Sequence, residues 1–150
     1  LGLTFKWGAL VGWTAARGTL EWPAILLYVG CVAWTIGYDT LYAHQDKEDD
    51  LSLGLGSTAL RFGDRTKAWV SGFYGFAVVM WAVAAYLAGI GPIGMIALAA
   101  AGAHLAWQVV TLDIADPQNC LVRFRSNRDL GWLVFAGFVA DMVLAAMGAG

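Results

Sequence analysis

The sequence predicts an all-α, polytopic transmembrane helix bundle, and three observations lead to that fold class. Hydrophobic residues make up 59% of the 150 positions and charged residues only 13%, with a mean hydropathy of +0.63, whereas a soluble domain carries about 25% charged residues. No charged residue occurs in residues 68–112, a run longer than one bilayer crossing needs. Eight Trp and nineteen Gly residues suit membrane helices, where Trp anchors at interfaces and small residues permit close packing.

Five apolar segments predict about five spans in a single domain over residues 1–150. The segment 7–16 is short, and we interpret it as the remainder of a span that begins at or before Leu1, in the C-terminal part of a longer protein. Pro23 marks the first turn of the second span, and the turn Gly89–Pro92 divides the long uncharged run in two. The four complete spans are predicted at residues 22–43, 67–88, 92–112 and 130–149.

Basic residues in alternate loops orient the spans. The loops at residues 44–66 and 113–129 hold most of the Lys and Arg, so the positive-inside rule makes them cytoplasmic. We therefore expect an integral protein of a bacterial inner (cytoplasmic) membrane. The net charge of -2 argues against nucleic-acid binding. Cys31 and Cys120 match no metal-site spacing and are interpreted as free thiols.

A cluster of acids at the end of the second span is the most informative feature of the chain. Five of the eleven acids lie in the string YDTLYAHQDKEDD, and charge at the mouth of a membrane helix is costly and usually functional. If residues 34–50 form one helix, Asp46 and Asp50 lie within about 20° of Asp39, over about 16 Å of axis, with Tyr42 beside them. Such a row of carboxylates suits Mg²⁺ bound together with substrate phosphate. The alternative is that the acids only end the helix at the membrane surface.

Possible anion contacts follow the acids. The stretch LGLGST contains Ser57 and can hold an anion with its backbone N–H groups, and Arg61 lies close enough in sequence to contact a phosphate. Arg123, Arg125 and Asn127, in the other cytoplasmic loop, are candidate contacts for a substrate carboxylate or diphosphate. For Arg61 the alternative role is to mark topology. Asp141, inside the last span, is expected only to face a cavity or to pair with another helix.

YDTLYAHQDKEDD followed by LGLGSTALRFG resembles the second aspartate-rich motif of the UbiA-type membrane prenyltransferases. The strings LGLTFKWGALVGW and NCLVRFRSNRDLGWLVFAG extend the resemblance through most of the chain, and within the family it is strongest to the members that prenylate 4-hydroxybenzoate for ubiquinone synthesis. The resemblance implies a nine-helix intramembrane bundle that binds polyprenyl diphosphate and 4-hydroxybenzoate. It also implies that Asp39, Asp46 and Asp50 hold Mg²⁺ and the diphosphate.

Two departures from the family pattern stand out. Gly56 replaces the Lys or Arg that relatives commonly have before the Ser-Thr pair, so one phosphate contact is missing or is supplied by Arg61. The first aspartate-rich motif, of the form NDxxDxxxD, does not occur in these 150 residues. Two alternative functions stay open. One is a UbiA-type enzyme that prenylates another acceptor, such as a haem, chlorophyll or menaquinone precursor. The other is part of an ion-coupled transporter with the acids as a cation site and Asp141 as a relay.

We predict that the 150 residues alone are inactive, because half of an aspartate-rich site binds Mg²⁺ and diphosphate poorly. Membranes that contain only this chain should incorporate no labelled prenyl group above the background of membranes without it. Incorporation above that background would contradict the half-site interpretation.

Overall fold

The chain folds entirely into helices in the part that the computed structural model describes. That part comprises residues 2–45, 47–54 and 56–148, without the side chains at positions 2, 5, 48, 49 and 51. It contains no strand. The helices are α1 (Gly2–Phe5), α2 (Trp7–Arg17), α3 (Trp22–Ala43), α4 (Lys47–Leu53), α5 (Thr58–Phe62), a 3-10 turn (Gly63–Arg65), α6 (Thr66–Leu87), α7 (Pro92–Val110) and α8 (Pro117–Gly148).

Four helical stretches are long and apolar enough to cross a membrane, which confirms the predicted fold class. They are Trp22–Ala43, Thr58–Leu87, Pro92–Val110 and Pro117–Gly148. The segment expected to be the remainder of a first span forms α2, whose 11 residues extend about 16 Å. That length is roughly half of a hydrocarbon core of about 30 Å.

The last span begins earlier than predicted. The segment before Leu130, expected to be a polar loop, is the first part of the 32-residue helix α8. Asp116 starts this helix, because its Oδ1 accepts a hydrogen bond of 2.9 Å from the Gln118 backbone N–H and Pro117 occupies the first helical position. The basic residues of this segment therefore project from a rigid helix.

Glycines allow α3 and α6 to pack closely as an antiparallel pair. A Cβ atom at Gly37 would collide with the ring of Tyr74, and one at Gly30 would lie 2.7 Å from Cδ1 of Trp81. Gly30 pairs with Trp81 and Gly37 with Tyr74, so residue numbers rise along α3 where they fall along α6, and the two helices are antiparallel. Close approach through small residues is the main source of van der Waals contact between membrane helices.

A polar network joins α6, α7 and α8 within the bundle. The Tyr74 hydroxyl donates to Oε1 of Gln108 (2.9 Å), and Nε2 of Gln108 donates to the hydroxyl of Ser126 (3.0 Å). Nε2 of His104 lies 3.2 Å from the same hydroxyl. Buried polar groups in hydrocarbon need such partners, and Gln108 is completely buried.

Asp141 caps the start of α7 from the neighbouring helix α8. Its carboxylate accepts hydrogen bonds from the backbone N–H groups of Gly91 (2.7 Å), Ile93 (3.1 Å) and Gly94 (3.2 Å). The first N–H groups of a helix have no partner within the helix, and inside a membrane water does not replace that partner. The negative charge also complements the positive end of the helix dipole. The expectation that Asp141 pairs with another helix is confirmed, with the backbone of α7 as its partner.

We predict that Asp141→Ala destabilises the protein by about 2 kcal/mol, because three backbone donors lose their shared acceptor. Chemical unfolding in detergent micelles, followed by circular dichroism, measures this loss. The matched control is Asp129→Ala on the same helix, where an exposed ion pair with Arg128 should contribute no more than about 0.5 kcal/mol. Equal losses in the two variants would contradict the capping role.

Candidate functional site

The helix that carries the acidic cluster ends before the cluster does. Helix α3 stops at Ala43, His44 and Gln45 form a turn, and α4 starts at Lys47. The prediction of one helix over residues 34–50 is therefore wrong, and so is the argument that placed Asp50 on the same helical face as Asp39. Asp39 lies on the last turns of α3, Asp50 lies on α4, and Asp46 falls outside the described residues.

A buried histidine holds the turn in place. His44 is 3% exposed, and its Nε2 lies 2.9 Å from the hydroxyl of Thr66, at the start of α6. The Thr66 hydroxyl donates its only proton to the carbonyl of Gly63 (2.7 Å), so Nε2 of His44 is the donor in their contact. Nδ1 then has no proton and no hydrogen-bond partner among the described residues. Burial, followed by the charge of Lys47, lowers the pKa of His44 from its usual 6.5.

Asp39 has the free oxygen atoms that a hard metal ion requires. Its side chain is partly buried, and neither oxygen makes a hydrogen bond or ion pair with another described residue. An unpaired carboxylate within a membrane helix is costly and needs a cation, and carboxylate oxygens are preferred ligands of Mg²⁺. Within residues 2–45, 47–54 and 56–148, no three His, Cys, Asp or Glu side chains converge as a metal site.

Aromatic rings form a wall beside Asp39. Trp34 and Tyr38 lie about one turn apart on the same face of α3, and their ring centroids are 5.2 Å apart. The ring centroid of Phe124 on α8 lies 5.8 Å from that of Tyr38. Nε1 of Trp34 donates a hydrogen bond of 2.7 Å to Oδ1 of Asn127. This bond fixes the indole plane, so the wall is preorganised. Tyr42, predicted to contact substrate, extends the wall by packing on Phe124 at 4.9 Å.

An apolar cavity and an open cleft meet at Trp34. The cavity, of about 350 Å³, lies between α2, α3, α6, α7 and α8. It is lined by Trp13, Pro23, Leu27, Cys31, Trp34, Trp81, Ala84, Ala85, Ala88, Ile90, Leu98, Leu130, Gly131, Val134 and Phe138. The cleft, of about 730 Å³, is lined by Trp34, Tyr38, Phe124, Arg125, Asn127 and Arg128. One face of α3 therefore leads from an apolar cavity, past aromatic rings, to a cationic opening.

The predicted anion contacts are distributed differently from the expectation. The hydroxyl of Ser57 caps α5 by accepting a bond of 3.4 Å from the Leu60 N–H, and Arg61 is exposed on that helix. Arg123 does not line the cleft, because its guanidinium lies 4.3 Å from the ring centroid of Trp107 on α7. Arg125 and Asn127, which are also predicted contacts, line it together with Arg128.

Sequence reasoning missed one cation at the aromatic wall. Nζ of Lys6, in the turn between α1 and α2, lies 4.7 Å from the ring centroid of Trp34 and 5.7 Å from that of Tyr38. Its isolation was the available signal, since Lys6 and Arg17 are the only charged residues before Glu21. The two thiols are free, as predicted.

Comparison with known proteins places this arrangement in context. Residues 1–139 match the profile of the UbiA prenyltransferase family. The chain is 50% identical over 141 residues to a human protein, 47% over 141 residues to one from Arabidopsis thaliana and 50% over 145 residues to one from the mouse. Each of the three is named "4-hydroxybenzoate polyprenyltransferase, mitochondrial".

The aligned regions cover 93% of this chain but only 34% to 38% of those relatives. The chain thus spans little more than a third of the length of the curated relatives it matches. No solved structure matches it significantly.

The buried His44 makes stability depend on pH. Because its pKa is lowered in the folded state, the unfolded chain takes up a proton near pH 6.5 while the folded chain does not. We therefore predict that the free energy of unfolding falls as the pH is lowered through 6.5 and that His44 has no such effect at higher pH. Unfolding in detergent at several pH values measures the slope.

His44→Gln is the matched variant, because Gln can still donate to Thr66 but does not titrate. The slope around pH 6.5 should be shallower in this variant. Every other ionisable group is common to both proteins, so identical slopes would contradict the assignment.

Proposed function

Since the chain belongs to the UbiA prenyltransferase family, we propose that the complete protein transfers a polyprenyl group from polyprenyl diphosphate to the ring of 4-hydroxybenzoate, in ubiquinone biosynthesis. The family match supports the reaction class. The names of the relatives support the acceptor and the polyprenyl donor.

The junction of the apolar cavity and the cleft at Trp34 is the observation that carries the proposal. A polyprenyl diphosphate has a long apolar tail and a strongly anionic head, and it reacts at the carbon that joins them. The cavity suits the tail, because its lining is almost entirely apolar. Asp39, directly after Tyr38 on α3, marks the end at which a metal-bound head group would lie.

The carboxylates of Asp39 and Asp50, with that of Asp46 outside the described residues, would hold Mg²⁺. The unpaired oxygens of Asp39 fit this ligand. The bound metal would offset the charge of the diphosphate and so make it a better leaving group.

The aromatic wall has a distinct role in the proposed reaction. When the bond between the prenyl carbon and the diphosphate oxygen breaks, the diphosphate leaves with the electron pair and positive charge develops on the prenyl group. The faces of Trp34 and Tyr38 are placed to stabilise that charge by cation–π attraction. The 4-hydroxybenzoate ring then attacks meta to its carboxylate, a carbon–carbon bond forms and the ring loses a proton.

The cleft provides a place for the acceptor. Arg125 and Arg128 line it together with aromatic side chains, and guanidinium groups recognise carboxylates. An aromatic acid with its carboxylate toward these arginines would present its ring to the wall. Arg123, also expected for this role, lies over the ring of Trp107 instead.

The structure weakens the transporter alternative. That alternative gave Asp141 the role of an ion relay, whereas its carboxylate is fully engaged by three N–H groups of α7. Another acceptor within the UbiA family remains the second candidate, because the cleft would accommodate other anionic aromatic compounds.

The four apolar helices indicate an integral membrane protein. The names of the relatives place those proteins in mitochondria and give no support to the bacterial inner membrane expected from the sequence. From that expectation we keep only the orientation, in which the loop that holds α4 and α5 lies on the same side of the membrane as the other basic loop.

We predict that Asp39→Asn and Asp50→Asn each lower prenyl transfer by at least about a hundredfold, since each would remove a carboxylate ligand of the metal. The measurement is transfer of labelled prenyl groups to 4-hydroxybenzoate in membranes that contain the complete protein, with and without chelation of Mg²⁺. Chelation should abolish transfer, and added Mg²⁺ should restore it.

Glu21→Gln removes an exposed carboxylate at the other end of α3 and should leave transfer unchanged. Full activity of Asp39→Asn, or activity that survives chelation, would contradict the metal site. Activity with a different aromatic acid but none with 4-hydroxybenzoate would support the second candidate, a UbiA-type enzyme that prenylates another acceptor.

A further inference from the structure

Lys6 is the cation in contact with Trp34, which lines both the cavity and the cleft, and with Tyr38, which lines the cleft. It is the residue that precedes α2, and its ammonium lies on the faces of Trp34 and Tyr38, at 4.7 Å and 5.7 Å from their centroids. Tyr38 directly precedes Asp39 on α3. The ammonium is therefore beside both the aromatic wall and the proposed head-group end of the site.

The ammonium has no anionic partner among the described residues. The ion pair found there joins Arg128 and Asp129, and Lys6 makes no hydrogen bond to any described acceptor. A lysine ammonium carries three N–H donors, and ring faces attract its charge without accepting these donors in the way that oxygen atoms do. A cation placed this way within a membrane bundle is suited to bind an anion.

The other candidate phosphate contacts lie elsewhere. Ser57 caps α5, Arg123 packs on Trp107, and Arg125 and Arg128 line the cleft proposed for the acceptor. Arg61 is exposed on α5, beyond the turn at His44. Among the described cations, Lys6 is thus the one that lies over the rings of Trp34 and Tyr38, next to Asp39 in sequence.

We propose that Lys6 binds the diphosphate of the prenyl donor. This inference rests on the function proposed above. To reach a phosphate oxygen, the ammonium would leave the faces of Trp34 and Tyr38, and those faces would become available to the prenyl cation. The same movement would bring positive charge onto the leaving diphosphate.

A purely structural role for Lys6 makes a different prediction. If Lys6 only joins the start of α2 to α3, its loss would alter stability or affect both substrates alike. If it binds diphosphate, its loss would weaken the binding of the prenyl donor and of inorganic pyrophosphate but not the binding of the acceptor.

The test uses Lys6→Met, which keeps the length of the side chain without its charge, and Lys6→Arg, which keeps the charge. In the complete protein, Lys6→Met should raise the KM for polyprenyl diphosphate and the Ki of inorganic pyrophosphate about tenfold, equivalent to about 1.4 kcal/mol. The KM for 4-hydroxybenzoate should stay the same, and Lys6→Arg should recover most of the loss. Lys67→Met, at an exposed lysine on α6, is the control for loss of one positive charge and should change none of these constants.

A measurement on the unaltered protein makes the test independent of whether Lys6→Met folds. Acylation of lysines, followed by mass spectrometry, should be slowed at Lys6 by Mg²⁺ and inorganic pyrophosphate but not at Lys67. An unchanged acylation rate at Lys6, or an unchanged Ki for pyrophosphate in Lys6→Met, would overturn the inference about Lys6. Prenyl transfer by the unaltered protein would still support the proposed function in that case. If the unaltered protein neither transferred prenyl groups nor bound pyrophosphate, both would fail.

Discussion

The close antiparallel packing of α3 against α6 is the contact on which the rest of the structure depends. Gly30 and Gly37 let α3 approach the rings of Trp81 and Tyr74. One face of α3 is therefore buried against α6. Trp34 and Tyr38, on a neighbouring row of α3, then contact Asn127 and Phe124 of α8. A larger residue at either glycine would separate the helices and displace the aromatic wall together with the carboxylate.

Satisfaction of polar groups within a membrane explains several residues that carry no chemistry. Asp141 supplies the acceptor that the first N–H groups of α7 lack, and Gln108 links Tyr74 to Ser126 across three helices. In water these groups would be solvated at little cost, whereas in hydrocarbon an unpaired group costs several kcal/mol, on the order of 2–7. The residues that looked functional because they were charged or polar within a span are therefore partly structural.

The turn at His44 shows where reasoning from helical periodicity reached its limit. The periodic argument assumed a continuous helix through Asp50, and nothing local in YDTLYAHQDKEDD contradicts that assumption. The helix ends because His44 is held by Thr66, which is 22 residues away, and this contact forms only when α3 and α6 pack together. A similar limit applies to Arg123 and Lys6, whose positions follow from rings on other helices, Trp107 and Trp34.

The sequence by itself determined the helical membrane fold, most of the span boundaries, the acidic region at the end of α3 and the family to which the chain belongs. These features depend on composition, on segment length and on a long specific motif, which are properties of consecutive residues. Tertiary structure alone decided where α3 ends, which arginines line the cleft, what Asp141 binds and that Lys6 lies on the aromatic wall. Each of these results depends on contacts between residues far apart in the chain, and side-chain direction across a helix interface is set by packing partners that no local pattern specifies.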